Sequence, residues 1–375
     1  MNLQNQNHQL LRELVALSLV PQLGAHRIRL LLNAAGHPQD IFRMSGRELQ
    51  AIDGIGPTIA GEILKFNQWE HVDRILEDTE EIGARMITCE HEAYPRLLKE
   101  IFDPPILLWV KGDLDVLNTS GIAVIGTRRA SRYGLKVAEH FTKALVERGI
   151  TIVSGLAFGI DALAHQTTID AGGKTIAVLG SGIDNIYPRK HTRMAREIAE
   201  GGGAVISEFP PGTNPDAGNF PVRNRIVSGL SLGTLVVESG IKGGSMITAR
   251  SALDQNREVF AIPHPLWNGN GEGCNIIIKR GWGKLVQTVE DVLSEVAVPQ
   301  KVSAVATPAT SKKWKKLELD ELSVSICEIL EESPRHIDVL SEELGEPSHL
   351  LLSKLLELEM QDCIQQKAGK TFELK

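Results

Sequence analysis

Five short stretches hold the residue types that grip an anion. Gly126-Thr127-Arg128-Arg129 follows an apolar run, with Arg132 close behind. Ser154-Gly155 closes a second such run, and Arg189 follows Tyr187-Pro188. Arg223 and Arg225 bracket Asn224 at an expected helix start, and Lys242-Gly243-Gly244-Ser245 precedes another helix. Guanidinium groups bind phosphate oxygens two at a time. Glycine amides at a helix start let the backbone approach an anion, with the positive dipole end behind them. Each stretch alone is equally a solvated basic loop. Their convergence on one rim is what turns them into an anion site.

General acid–base or metal chemistry finds less support. Asp161, Asp184, Glu208 and Glu238 are candidate carboxylates, and His165, His191 and His264 candidate bases. No nucleophile–base pair or metal-ligand set has convincing spacing, so neither a catalytic residue nor a metal or other cofactor is expected. Asp161 falls at a helix start and reads as a cap or as the salt-bridge partner of a rim arginine. The Gly233-Thr234 to Glu238 segment partly resembles nucleotide-processing Rossmann enzymes, which leaves a phosphoribohydrolase-like activity as the alternative. A Gly-x-x-x-x-Gly-Lys-Ser/Thr loop is absent, which argues against a P-loop ATPase.

The elements that must position these residues alternate strand and helix. Apolar runs predict strands at 122–125, 151–153, 175–179, 204–206, 234–237 and 258–261. Helices fit about 132–148, 160–171, 191–200, 222–230, 245–255 and 288–296. This is the pattern of an α/β fold with an extended Rossmann-like parallel sheet, whose ligands sit beyond the carboxyl ends of the strands. All five anion-suited stretches fall at those ends.

At 375 residues the chain has room for two or three domains. Residues 1–80 read as a helical domain, and Leu49 to Leu64 resembles a helix-hairpin-helix (SAM-like) unit turning at Gly54-Ile55-Gly56. Such a hairpin either contacts a phosphate through its amides or is a packing module with a glycine turn; Asp53, Glu62 and Glu70 favour packing. Residues 81–296 form the Rossmann-like domain, with further strands at 82–88 and 106–110. Residues 297–316 read as a linker, ending in the basic run Ser311 to Lys316. Residues 317–375 predict helices at 321–332, 336–343 and 347–359 and a closing hairpin, a winged-helix-like domain. Its third helix carries Lys354 against Glu357 and Glu359, which suits protein docking or a structural role better than DNA reading.

Formal net charge is -7, with 42% hydrophobic and 23% charged residues, so there is no overall basic footprint, which argues against a nucleic-acid binder driven by global charge and leaves room for a local basic patch. The four cysteines are scattered and read as buried reduced thiols. Neither a signal peptide nor stable membrane insertion is expected, and a cytoplasmic location follows.

Several ordered motifs resemble one family. These are Gly126-Thr-Arg128, Ser154-Gly-Leu-Ala-Phe-Gly-Ile-Asp161, Tyr187-Pro188, Phe220-Pro-Val-Arg-Asn-Arg-Ile226 and Gly244-Ser-Met-Ile-Thr-Ala-Arg250, extended by Phe260-Ala-Ile-Pro263 and Gly273-Cys-Asn275. Together they are similar to the DNA-processing protein A (DprA/Smf) family over about residues 80–295. The resemblance implies a non-catalytic, homodimeric protein that binds single-stranded DNA during natural transformation and promotes loading of the RecA recombinase. It implies that the Arg128 loop, Arg189 and Arg223-Asn224-Arg225 line the DNA pocket, with Lys242 added on charge. It also implies a dimer contact around 262–285. Arg189-Lys190-His191, His264 and Trp282 depart from the family's usual pattern.

Overall fold

The computed structural model describes residues 3–296, 314, 319–361, 363–367 and 371–374. Apart from Trp314, the expected linker at 297–316 lies outside the described residues. Contacts divide the chain into two compact units, Met1–Pro299 and Gln300–Lys375.

The first unit is built on a nine-stranded sheet. Its strands are β1 (Arg85–Thr88), β2 (Leu107–Gly112), β3 (Gly121–Gly126), β4 (Thr151–Ser154), β5 (Thr175–Leu179), β6 (Ala204–Ser207), β7 (Gly233–Glu238), β8 (Glu258–Ala261) and β9 (Lys284–Leu285). Their order is β1-β2-β6-β5-β4-β3-β7-β8-β9. From β6 to β9 every pairing is parallel, as the alternating pattern predicts. The further strands expected at 82–88 and 106–110 extend this sheet at one edge. β2 runs antiparallel to β6, and β1 antiparallel to β2. No helix crosses over between β1 and β2, only a connector with one short helix at Arg96–Lys99, and antiparallel neighbours need none.

Side chains alternate across the sheet with the period of two that a pleat imposes. Ile122, Val124, Ile152, Leu235 and Val237 face the helix Arg132–Glu147, where they meet Phe141 and Leu145. Ala123, Ile125, Val153, Val236 and Val259 face the opposite layer with Ile226, Val227, Ala249 and Ala252. Strands β3 to β7 are buried on both faces, which is why they read as largely apolar runs.

The N-terminal helices share a hydrophobic cluster with one end of this sheet. Leu14, Leu17, Ile63 and Ile75 pack in the same core as Leu107, Trp109, Leu179 and Val205. The Trp109 indole N–H donates to the Thr79 hydroxyl at 3.1 Å, and Arg12 donates to Asp73 at 2.9 Å. Gly54 adopts φ +79°, the left-handed turn the hairpin requires. The Gly54 carbonyl accepts from Arg27 at 3.1 Å. That bond ties the turn to the helix Ala25–Ala35.

The second unit has helices Glu321–Glu332, Ile337–Leu344 and Ser348–Met360 and an antiparallel sheet of β10 (Arg335–His336), β11 (Ile364–Lys367) and β12 (Thr371–Leu374). Ile326, Leu340, Leu355 and Phe372 form its core, with Trp314 buried among them. This is the predicted winged helix, with β10 as an extra strand. Lys354, on the third helix, is held by Asp320 at 2.6 Å and by Glu357 at 2.9 Å.

Candidate nucleic-acid interface

Strand order reverses at β3, whose neighbours are β4 on one side and β7 on the other. A crevice opens beyond the carboxyl ends at such a switch point. Here it is a cleft of about 780 Å³, lined by Gly126, Thr127, Arg128, Arg129, Gly155, Asp161, Tyr187, Phe220, Arg223, Asn224, Gly243, Gly244 and Ser245 among others. Most of the residues expected from sequence therefore meet in one place.

Arg223 forms its floor. The side chain is buried, and Nη1 donates to the carbonyls of Gly155, at 2.9 Å, and of Val178. Burial pushes the guanidinium down to about 10; Asp161 pulls it back up and Arg128 pushes it further down. It is still charged at neutral pH. Burial likewise raises the Asp161 carboxyl, against the pull of Arg223 and of the Ala157 and Gly155 N–H groups. Asp161 is thus the counter-charge to Arg223, the two meeting through Gly155 rather than in a direct ion pair. Gly155 has no room for a side chain, since a Cβ would lie 2.7 Å from the Arg223 guanidinium and 2.9 Å from Asp161 Oδ2.

Two cations share one aromatic ring. The Arg128 guanidinium lies 5.4 Å from the Phe220 ring centre and that of Arg223 5.9 Å away. Tyr187 tilts against Phe220 at 5.6 Å and is 41% exposed. Arg128 is solvent-exposed, so its charge is open to a ligand while the ring limits its rotation. Phe220 and Tyr187 read in the sequence only as motif markers. Phe220 lies three positions before Arg223 on one helix, a spacing that puts the two side chains on the same face.

The two helix starts at the rim differ. The helix Arg132–Glu147 is capped by Ser131, whose own N–H donates to Glu238 Oε2 at 2.8 Å. The Glu238 backbone carbonyl accepts from Thr127 at 2.7 Å. A carboxylate of the protein, Glu238, already sits at this dipole end. The helix Gly244–Asp254 has no side-chain cap, and Gly243, Gly244 and Ser245 face the cleft. This second start is the free one.

Four expected site residues stand elsewhere. Arg225 turns away from the cleft. Its helix spans Asn219–Gly229 rather than starting at 222, and residues two apart on a helix face roughly opposite ways. Arg225 instead donates to Glu208 at 2.8 and 2.9 Å and to Asp103 at 2.8 Å. Ser154 is buried, with its hydroxyl donating to Val124 O at 2.7 Å. Arg189 is exposed in a short turn, Arg189–His191, after cis Pro188. Lys242 lines a neighbouring cavity. Asn270, which sequence reading passes over, joins the cleft and donates to the Arg129 carbonyl at 3.3 Å.

The remaining candidate acids and bases are engaged structurally. Asp184 accepts from the Gly212 N–H through both oxygens, and Glu208 holds Arg225. His191 pairs with the Leu156 carbonyl at 2.8 Å and His264 with that of Val237 at 2.9 Å. His165 is buried against Thr175, and burial drives it down to about 3. Among the described residues no cluster of His, Cys, Asp and Glu is arranged to hold a metal, and no helix is long and apolar enough to cross a membrane.

Comparison with known proteins matches this architecture. The family model for DNA recombination-mediator protein A covers residues 85–297, and that for the DprA winged helix domain covers 310–370. Protein Smf of Escherichia coli K12 is 39% identical over 301 residues, 79% of each chain. DNA processing protein DprA of Bacillus subtilis is 41% identical over 239 residues, 64% of this chain and 79% of that one. The solved structure of DprA from Streptococcus pneumoniae is similar at TM-score 0.65 and 34% identity, covering 76% of this chain and 97% of that one. DNA processing protein A from Helicobacter pylori, solved for its single-stranded DNA binding mode, is similar at TM-score 0.51 and 30% identity, covering 56% and 97%. With a matching sheet domain, a matching winged helix and relatives over most of its length, the chain belongs to the DNA recombination-mediator protein A family.

Proposed function

We propose that the cleft binds the sugar–phosphate backbone of single-stranded DNA, and that the chain is a non-catalytic mediator in recombination. The observation that carries this reading is the pairing of Arg128 and Arg223 over Phe220, facing the uncapped helix start at Gly243-Gly244-Ser245. Cations and amides meet phosphates, and Phe220 with the exposed Tyr187 offers bases a flat face without reading their edges. The Helicobacter pylori relative, described for its single-stranded DNA binding, supports the same ligand. Glu238 is fully buried, with Oε2 held by the Ser131 N–H, which speaks against the phosphoribohydrolase-like alternative, since that needs the carboxylate to reach a substrate.

In this reading the protein acts in the cytoplasm as a homodimer and hands the bound strand to the RecA recombinase. A salt titration with an oligothymidylate tests the binding step. Arg128→Ala weakens affinity and flattens the logarithmic salt slope by about 0.7, the value for one phosphate contact on a single strand. Identical slopes for variant and wild type reject the assignment. Base release from nucleoside monophosphates would restore the enzymatic alternative. The hand-over step is read as faster recombinase filament formation on strands precoated with single-strand-binding protein.

A further inference from the structure

Beside the main cleft lies a second cavity of about 370 Å³. Gly243 and Ile247 line both, so the two are continuous around the Lys242–Gly243 turn. Its walls carry Lys242, Arg250 and Arg280, all solvent-exposed, around the half-buried Trp282. The Arg250 guanidinium lies 5.5 Å from the Trp282 ring centre and that of Arg280 4.6 Å away. None of the three cations has a carboxylate partner among the described residues. The indole thus holds two unpaired guanidinium groups in place ahead of any ligand.

We infer that this cavity is an outer subsite for the same single strand, taking phosphates that leave the main cleft over Gly243 and Ile247. The inference rests on the DNA-binding reading of the main cleft and extends it. Three unpaired positive charges beside an indole suit a polyanion, since each phosphate neutralised releases a counterion. Arg280 and Trp282 fall within the 262–285 stretch where the family resemblance implies a dimer contact, so the assembly state is measured alongside binding. Lys242 contacts DNA from outside the main cleft, and Trp282, which departs from the family's usual pattern, supports the arginines that extend the site.

The test compares strand lengths. Full-length wild type and the double variant Arg250→Ala/Arg280→Ala are titrated with oligothymidylates of about 6 and about 16 nucleotides, lengths that span the site sizes of single-strand-binding OB folds. The variant keeps wild-type affinity for the short strand and loses roughly 3- to 10-fold on the long one, with a salt slope flatter by about 1.4 for two lost phosphates. Trp282→Phe, which keeps an aromatic face, retains long-strand affinity, whereas Trp282→Ala follows the double variant. Equal loss on both lengths, or no loss on either, overturns the outer subsite. Loss accompanied by a lower assembly state in sedimentation overturns it in favour of an interface between copies. If wild type fails to bind even the short strand, the main-cleft reading falls, and the outer subsite falls with it.

Discussion

Arg223 and Asp161 clamp a single residue between them. The Gly155 N–H donates to Asp161 Oδ2 at 3.1 Å, while the Gly155 carbonyl accepts from Arg223 Nη1 at 2.9 Å. The clamp fixes the turn after β4 against the helix Asn219–Gly229 and so sets the floor of the cleft. Removing one partner leaves the other charged and buried. Arg223→Met is therefore expected to lower stability by about 3–5 kcal/mol. Adding Asp161→Asn to it recovers part of the loss. Urea unfolding of the two variants measures both effects, and a single variant as stable as wild type would contradict the clamp.

Arg225 separates stability from binding. Its bonds to Glu208 and Asp103 are largely shielded, with the arginine and Glu208 side chains each 12% exposed. Arg225→Ala should cost about 3 kcal/mol, the low end for a broken buried pair. Oligonucleotide affinity, measured well below the unfolding temperature, should stay at the wild-type value. Weakened binding by a fully folded variant would mean that Arg225 reaches the strand after all.

Phe220 gives the opposite signature. Phe220→Leu keeps apolar volume in the half-buried site but removes the ring that Arg128 and Arg223 share. Affinity should fall by the worth of one stacked base, about 1–3 kcal/mol. Unfolding should move by less than about 1.5 kcal/mol, as volume-conserving apolar changes do. A normal isotherm would show that the ring merely fills space.

Acid should loosen the winged helix through Asp320. This residue caps the helix Glu321–Glu332 by accepting from the Ser323 N–H at 2.8 Å. Its bond to Lys354, and then those to Ser323, hold the carboxyl down at about 2, below its ordinary 3.8. A folded-state value below the unfolded one stabilises the domain above about pH 4, and that gain is lost as pH falls towards 2. Asp320→Asn keeps a capping oxygen but loses the charge, and should be less stable by about 0.5 kcal/mol at neutral pH, the worth of an exposed ion pair. The two unfolding curves should converge near pH 2. A constant gap across that range would exclude the ionised carboxylate as the cause.

Strands β3 to β7 were legible because burial on both faces keeps their centres apolar. Arg128 and Gly243 to Ser245 were legible because strand ends in such a sheet share one rim. Arg225 was not, since its direction depends on where the helix begins. Pro221 suggests a boundary, yet a proline is tolerated in a first helical turn, and the helix starts earlier at Asn219. Glu238 was hidden for a different reason. Its role lies in a contact with Ser131, 107 positions away, and no local pattern encodes that contact. Two-residue β9 and the helix Glu272–Lys279 fall in a stretch whose glycines read as loop.

The shared core of the N-terminal helices and the sheet has a practical consequence for dissecting this chain. The family match begins at residue 85, but the cohesive body does not. A fragment cut at that point would strip Thr79 from the Trp109 indole and bare the apolar flank of β2 and β6. Such a fragment would aggregate through that flank, and any loss of DNA binding it showed would report the cut rather than the helices' own part in recognition.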